Sequence, residues 1–311
     1  MTNVPVKHTL TFAGLVIALT GAILFSTKAI IVKKAFASTW VDAVSLLTLR
    51  MAFSLPFYLA AAYFVSKQTG NVRMTKRQWR LTIIIGLTGY YLSSLFDFIG
   101  LQYISAGLER LILFLYPTFA VLINFFVFKQ PVSKHQWIAL LLTYSGIGLA
   151  LSGEVRINTL DSNLWWGSFL VLLCAATFSI YIVGSGKIIP SIGAVKFTAY
   201  AMLSATVGVF VHYLAAGNYS QVANIGPLIP YGFLLAIFAT VAPSFLISNA
   251  MKRIGSNNVA IISGIGPVST ILQAHFFLGE QIFAEQVIGT LLVIMGVLLL
   301  SWKRSERGQK N

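Results

Sequence analysis

The sequence predicts an all-α integral membrane protein with ten transmembrane helices in two inverted five-helix repeats. Of its 311 residues, 57% are apolar and only 10% are charged, whereas a soluble domain carries about 25% charged residues. The chain also divides into apolar runs of about 20 residues, the length that crosses a bilayer as a helix. Finally, the chain resembles itself when shifted by about 150 positions. Together these observations exclude a sizeable soluble domain.

Ten apolar runs account for nearly the whole chain. The first has no A-x-A cleavage pattern and is too long for a removable signal peptide, so we expect a retained first helix. The predicted spans are 10–32, 43–65, 81–101, 107–128, 137–151, 164–183, 195–215, 228–251, 259–278 and 284–302.

Basic residues at the ends of the spans predict the orientation. With the N-terminus in the cytoplasm, most of the Lys and Arg residues that flank spans fall on the cytoplasmic side, whereas Lys33, Lys34 and Arg156 fall outside. This bias favours ten spans with both termini cytoplasmic, and residues 304–311 form a short basic cytoplasmic tail. The net charge of +14 therefore favours a membrane surface as the partner of these residues rather than nucleic acid.

An internal repeat divides the chain into residues 1–152 and 160–303. Because five helices are an odd number, the second copy starts on the opposite side of the membrane, as in transporters that work by alternating access. One chain supplies both halves, so a monomer suffices, with a homodimer as the alternative. A shift of 150 aligns Pro117 with Pro267, Gln136 with Gln286 and Gly146 with Gly296, and a shift of 153 aligns Gly14, Phe25 and Ser26 with Gly167, Phe178 and Ser179.

Several sequence motifs stand out along the chain. They are Phe25-Ser26-Thr27-Lys28, the segments around Pro117 and Pro267, and Gly279-Glu280 followed by Gln286, Gly289 and Gly296. With these motifs the chain resembles the EamA-type transporters of the drug/metabolite transporter superfamily. The first half departs from the pattern because Lys129-Gln130-Pro131 replaces the Gly-Glu pair. The resemblance implies a multi-pass protein of the bacterial inner (plasma) membrane. It also implies a cavity between the first, third and fourth helices of each half, and export of amino acids or other small metabolites.

Charged residues within the spans are the main candidates for substrate binding or gating. Lys28, Asp97, Glu109 and Arg110 all fall in the outer third of spans one, three and four, where an unpaired charge costs several kcal/mol. Two interpretations stay open. The cluster binds a charged substrate or gates its path, or it is a fixed ion network that holds the helices together.

Other polar residues extend the list of candidates. Tyr90 shares a helical face with Asp97, and the shift of 153 places Tyr181 opposite Lys28. Asp97 and Glu109 are candidates for proton coupling, because burial disfavours the charged form of a carboxylate. His275 is another candidate, because it lies on a predicted cavity helix. Arg50, in span two, is expected to pair with a carboxylate such as Asp97 or with carbonyls freed by a nearby proline, and direct contact with the substrate is the alternative.

Span nine carries a polar stripe with a helix breaker in it. Ser263 and Gln273 are candidates for substrate contact, although small residues in the same stripe also suit close helix packing. Pro267, and Pro117 in the first half, remove a backbone donor near the middle of the membrane, so we expect helix breaks there.

The sequence thus favours a secondary active transporter of a small polar metabolite, such as an amino acid, working by alternating access. A lipid or lipid-linked substrate flippase, or a passive channel, is the alternative. No H-E-x-x-H motif, paired acids or Ser/His/Asp set indicates an enzyme, and no nucleotide-binding loop is present to couple ATP. With four His and one Cys, we expect no metal site and no cofactor.

Overall fold

The computed structural model describes residues 11–68, 73–129, 134–157, 162–217, 219, 225–254, 259 and 262–307. These residues are helical wherever they have regular secondary structure, and they contain no β-strand. In chain order the helices are α1 Phe12–Thr39, α2 Ala43–Lys67, α3 Lys76–Gly100, α4 Ala106–Leu113 continued by Tyr116–Phe128, α5 Lys134–Ile157, α6 Ser162–Ile192, α7 Ala194–Ala216, α8 Ile229–Ala236 continued by Ile237–Val241 and Ala242–Ile254, α9 Ile265–Leu278, and α10 Ala284–Arg307.

Eight of the helices in the described ranges, α1 to α8, are long and apolar enough to cross a membrane. The other two apolar helices, Ile265–Leu278 and Ala284–Leu299, are shorter and lie where the sequence predicts spans nine and ten. The all-α membrane class is therefore confirmed. The start of the first predicted span, Leu10, and the last four residues of the basic tail lie outside the described residues, and α10 continues into that tail as far as Arg307.

Polar residues just outside the apolar runs start several helices. The Thr11 hydroxyl accepts a hydrogen bond from the Gly14 amide at α1, and the Asp42 carboxylate accepts one from the Ser45 amide at α2. Thr75 forms a reciprocal capping box at α3. Such side chains satisfy amides that lack a partner in the first helical turn. Several helices also extend well past the predicted spans, since hydropathy marks the apolar part of a helix and not its end.

Irregular segments recur at matching positions of the two halves. Both α3 and α8 contain a π-helical segment, at Leu87–Leu92 and at Ile237–Val241. The regular α4 is interrupted at residues 114 and 115, and α9 follows a turn at residue 264. Left-handed residues end α4 and α9, at Lys129 (φ 54°) and Gly279 (φ 70°). Each pair of features is separated by 150 residues in the chain.

The packing of the helices has the same regularity. Helix α1 packs on α8 and α9, and α6 packs on α3 and α4. Helix α2 packs on α7, and α5 packs on α10. In the α5–α10 pair the backbones approach closely, because a Cβ on Gly146 would lie 2.5 Å from the Gly289 carbonyl oxygen. The packing is therefore the same when α1 to α5 are exchanged with α6 to α10. For example, the contacts of α1 with α8 and α9 correspond to those of α6 with α3 and α4.

Candidate functional site

A buried ion network joins α1, α3 and α4. The Lys28 Nζ lies 2.6 Å from Asp97 Oδ2 and 3.4 Å from Glu109 Oε1. All three side chains are nearly inaccessible to solvent, with exposed fractions of 9% for Lys28, 1% for Asp97 and 0% for Glu109. A single ammonium therefore holds two carboxylates from different helices, and we call Lys28, Asp97 and Glu109 the charge triad.

The position of Glu109 at the start of a helix favours a negative charge on its buried side chain. It lies in the first turn of α4, where the free amides and the helix dipole favour a negative charge. Ser105 caps the same turn by accepting a hydrogen bond from the Leu108 amide. Glu109 Oε1 accepts a hydrogen bond from Lys28 Nζ at 3.4 Å, and the Asp97 carboxyl group is a further polar neighbour of Glu109.

Arg110 lies next to the triad but has different neighbours. Its guanidinium lies 5.8 Å from the ring centroids of both Phe25 and Phe114, within the range of a cation–π interaction. It also lies against α9, since a Cβ on Gly266 would be 2.8 Å from Arg110 Nη2. No carboxylate within the described ranges lies at salt-bridge distance from it, so the predicted cluster of four divides into the triad and this arginine.

The two predicted tyrosines meet between α3 and α6. The hydroxyl oxygens of Tyr90 and Tyr181 are 2.8 Å apart, and the ring of Tyr181 stacks on Phe178 at 5.7 Å between centroids. Gly89 makes room for this contact, because any side chain there would collide with Tyr181. The pairing of Tyr90 with Tyr181 links the two halves of the chain.

Gln273 and His275 on α9 have local partners, and Ser263 lies just before that helix. Gln273 donates a hydrogen bond to Ser269 Oγ, one turn earlier, at 2.8 Å, and Ser263 is half-buried. His275 is exposed, and its Nδ1 atom lies 2.9 Å from the Glu280 backbone oxygen. The hydrogen bonds of Gln273 and His275 therefore do not involve the charge triad.

The two predicted helix breakers lie beside real irregularities. Pro117 is in the first turn of the second part of α4, just after the interruption. Pro267 is buried near the start of α9. Both prolines therefore follow an interruption of regular helix by two or three residues, as suits a residue that lacks a backbone donor and favours the first turn of a helix.

Arg50 is a buried cation with partners that the sequence did not suggest. Its side chain donates to Thr240 Oγ1 at 2.8 Å and to Ser94 Oγ at 3.1 Å. The expected pairing with Asp97 is wrong, because Asp97 is held at 2.6 Å by Lys28 instead. The partners belong to α3 and α8, and neither hydroxyl could be assigned to Arg50 from local sequence.

Glu280 has a structural contact that sequence reasoning also missed. Its carboxylate accepts hydrogen bonds from the backbone amides of Ala106 at 2.9 Å and Gly107 at 3.4 Å. It thus supplies negative charge to the N-terminus of α4, one turn before Glu109. The Gly-Glu motif at the end of α9 was a signal for this residue, but its partner is 174 residues away in the chain.

The described residues contain no group of three or more His, Cys, Asp or Glu side chains placed to hold a metal ion. The chemistry of the site is thus that of ion pairs, hydroxyl groups and aromatic rings. Such groups can bind and release a polar solute.

Comparison with known proteins agrees with this architecture. The model of the EamA-like transporter family matches residues 12–152 and 165–302. The chain is 29% identical over 303 residues to the "Uncharacterized transporter YcbK" of Bacillus subtilis, covering 96% of both chains. It is 26% identical over 222 residues to the "Uncharacterized transporter YyaM" of the same organism, covering 70% of this chain and 72% of the relative.

A solved structure titled "Crystal structure of protein" superposes with a TM-score of 0.64 over 92% of this chain and 95% of that one. At 17% sequence identity, this likeness concerns the fold alone. The two family matches cover nearly all of the described helices, and they confirm the resemblance drawn from the motifs. The chain therefore belongs to the EamA-like transporter family, whose members are membrane transporters and not enzymes.

Proposed function

We propose that this protein is a secondary active transporter that moves a small polar metabolite, such as an amino acid, by alternating access. The observation that carries the proposal is the charge triad, in which Lys28 holds Asp97 and Glu109 where α1, α3 and α4 meet. Ionisable groups within a membrane protein are costly and generally serve a transport path. Here they lie on three helices that must separate if a central cavity opens towards them.

The recurrence of irregular segments supports ten crossings in two inverted repeats. The π-helical segments of α3 and α8 start 150 residues apart, and so do the interruptions of α4 and α9. The packing of α1 on α8 and α9 parallels that of α6 on α3 and α4. A twofold axis in the membrane plane accounts for these parallels, and it makes inward-open and outward-open states related structures.

We further propose export across a bacterial inner membrane, with both termini in the cytoplasm and the monomer as the working unit. The excess of basic residues on one side of the predicted spans supports this orientation. Within the proposal, the triad closes the path on the outer side. Protonation of Asp97 or Glu109 would loosen its hold on Lys28 and couple opening to protons.

The test is transport into proteoliposomes that contain the purified protein. Saturable uptake of labelled amino acids or organic acids is expected, whereas translocation of lipid-linked sugars without uptake of small solutes would favour a flippase. A leak that does not saturate would favour a channel. A rate that does not respond to a pH gradient would contradict proton coupling by Asp97 and Glu109.

Lys28→Ala separates the functional role of the triad from a purely structural one. We expect the variant to lose transport while it is still recovered as folded protein. Lys34→Ala is the matched control, because Lys34 lies on the same helix with an exposed side chain. Equal loss of transport and of folded protein in Lys28→Ala, with Lys34→Ala unaffected, would mean that the triad only holds the helices together.

A further inference from the structure

Arg50 is the centre of a second polar site, separate from the charge triad. Arg50 is 5% exposed, and its side chain donates hydrogen bonds to neutral hydroxyls on α3 and α8. No carboxylate of the described chain lies within salt-bridge distance of it. A guanidinium carries more N–H donors than two hydroxyls can accept. Further N–H groups of Arg50, and its positive charge, are therefore available to a ligand.

The acids nearest to Arg50 are already occupied. Asp97 influences Arg50 electrostatically from beyond contact distance, but it is bound to Lys28 together with Glu109. A buried positive charge without a counter-ion is costly. A site that keeps such a charge is suited to bind an anion, and a single guanidinium matches a single negative charge.

The backbone around Arg50 is irregular on two sides. Thr240, which accepts from Arg50 Nε, lies inside the π-helical segment of α8. Ser94, which accepts from Nη1, lies just after the π-helical segment of α3. π-Helical segments are frequent at functional sites. The two related halves of the chain thus both direct a hydroxyl to the same guanidinium from an irregular segment.

A row of buried polar side chains on α2, here called the polar track, lies between Arg50 and a small pocket lined by α2, α7 and α8. Arg50, Ser54 and Tyr58 are spaced four residues apart on α2 and therefore share one helical face. Tyr58 Oη lies 3.5 Å from Ser244 Oγ on α8, and Ser244 lies four residues after Thr240. Tyr58 and Ser244 line the pocket. By the predicted orientation, this pocket lies on the cytoplasmic side of Arg50.

We propose that Arg50 binds the carboxylate of the transported solute, which reaches it along this track from the pocket at Tyr58 and Ser244. The inference rests on the proposed transport function and narrows its substrate to a monocarboxylate, either an amino acid or a simple organic acid. Arginine favours carboxylates because its planar fork donates two parallel hydrogen bonds. Thr240 and Ser94 hold the fork in place as positioning residues.

The experiment compares solutes that differ only in the anionic group. Proteoliposomes would be offered labelled L-alanine and L-leucine, their amides, lactate and inorganic phosphate. We expect uptake of the carboxylates and rejection of the amides by about tenfold or more, since charged hydrogen bonds are worth that much. Equal uptake of amides overturns the inference and leaves the transport function intact, and uptake of phosphate alone overturns the choice of carboxylate. Uptake of none of these solutes overturns the inference, and the wider panel of amino acids and organic acids then tests the transport function separately.

Variants then test whether Arg50 is the group that binds the carboxylate of the solute. Arg50→Gln is expected to lose carboxylate uptake by at least about tenfold, with Arg50→Lys intermediate. Arg80→Gln, at an exposed site on α3, is the matched control and should transport normally. If Arg50→Gln still prefers carboxylates over amides by the wild-type ratio, the inference is refuted.

A second measurement covers the case in which Arg50→Gln does not fold. Thr240→Val and Ser94→Ala keep the charge of Arg50 and remove one positioning hydroxyl each. We expect each to raise KM for carboxylates about threefold to tenfold with little change in kcat. Alanine should also raise the unfolding temperature of the solubilised wild-type protein, as a ligand of the folded state must, and this shift should shrink in both variants. Unchanged KM and unchanged thermal shift in both variants would overturn the inference.

Discussion

Replacing Lys28 with methionine should lower the free energy of unfolding while the protein is still recovered folded, because two buried carboxylates would lose the cation that, within the described residues, lies at salt-bridge distance from both. Lys28 Nζ lies 2.6 Å from Asp97 and 3.4 Å from Glu109, and the three side chains are at most 9% exposed. Removing one partner of a buried ion pair costs about 3–5 kcal/mol, whereas a surface pair is worth about 0–1 kcal/mol. Because the pair is buried, we expect Lys28→Met to lower the free energy of unfolding by about 3–5 kcal/mol.

Neutralising a carboxylate in the same molecule should recover much of that loss. Asp97→Asn removes the carboxylate that lies nearest to the ammonium, so the double variant Lys28→Met/Asp97→Asn leaves Glu109 as the one carboxyl group of the triad. We expect a coupling energy between positions 28 and 97 of about 1–3 kcal/mol in a double-mutant cycle. The coupling with Glu109, measured with Glu109→Gln, should be smaller because the contact is longer.

Unfolding free energies in detergent micelles give both quantities, with Lys34→Met as the control for loss of an exposed lysine from the same helix. The control should change stability by less than about 0.5 kcal/mol. The reasoning is refuted if Lys28→Met is as stable as the control, or if the coupling with Asp97 is below about 0.5 kcal/mol, since distant independent sites already deviate by that much.

Two further variants test the packing and the capping of helices. Glu280→Gln should lower the unfolding free energy by about 1 kcal/mol, because the carboxylate that accepts from the Ala106 amide at 2.9 Å loses its charge at a helix N-terminus; an unchanged melting temperature would contradict this role. Gly146→Ala should cost about 1–3 kcal/mol, since its Cβ would lie 2.5 Å from a backbone carbonyl oxygen of α10, whereas Gly148→Ala on the same helix meets nothing within 4 Å and should be tolerated. Equal melting temperatures for the two alanine variants would refute the close packing of α5 on α10.

The positions of the helices could be predicted closely from the sequence, because the bilayer requires long apolar segments and hydropathy is a local property. The ends were less accurate. Span six was predicted to end at residue 183, yet α6 continues through Pro190 to Ile192. The π-helical segments in α3 and α8 left no mark in the hydropathy pattern.

The candidate site could be predicted in part. A charge inside an apolar segment needs a partner, so Lys28, Asp97 and Glu109 were identifiable as candidates before any contact was known. The same reasoning paired Arg50 with a carboxylate, and the structure gives it Thr240 and Ser94 instead. Hydroxyl groups cost little within a membrane segment, so their positions carry no comparable signal.

The sequence by itself thus determined the membrane class, the approximate helices, the family motifs and the set of buried charges, because each follows from composition or from the repeat. Only the tertiary structure decided which charges meet. Lys28 and Glu109 are 81 residues apart in the chain, and Arg50 and Thr240 are 190 apart. Such pairings depend on how helices pack against one another, and local sequence does not encode that packing.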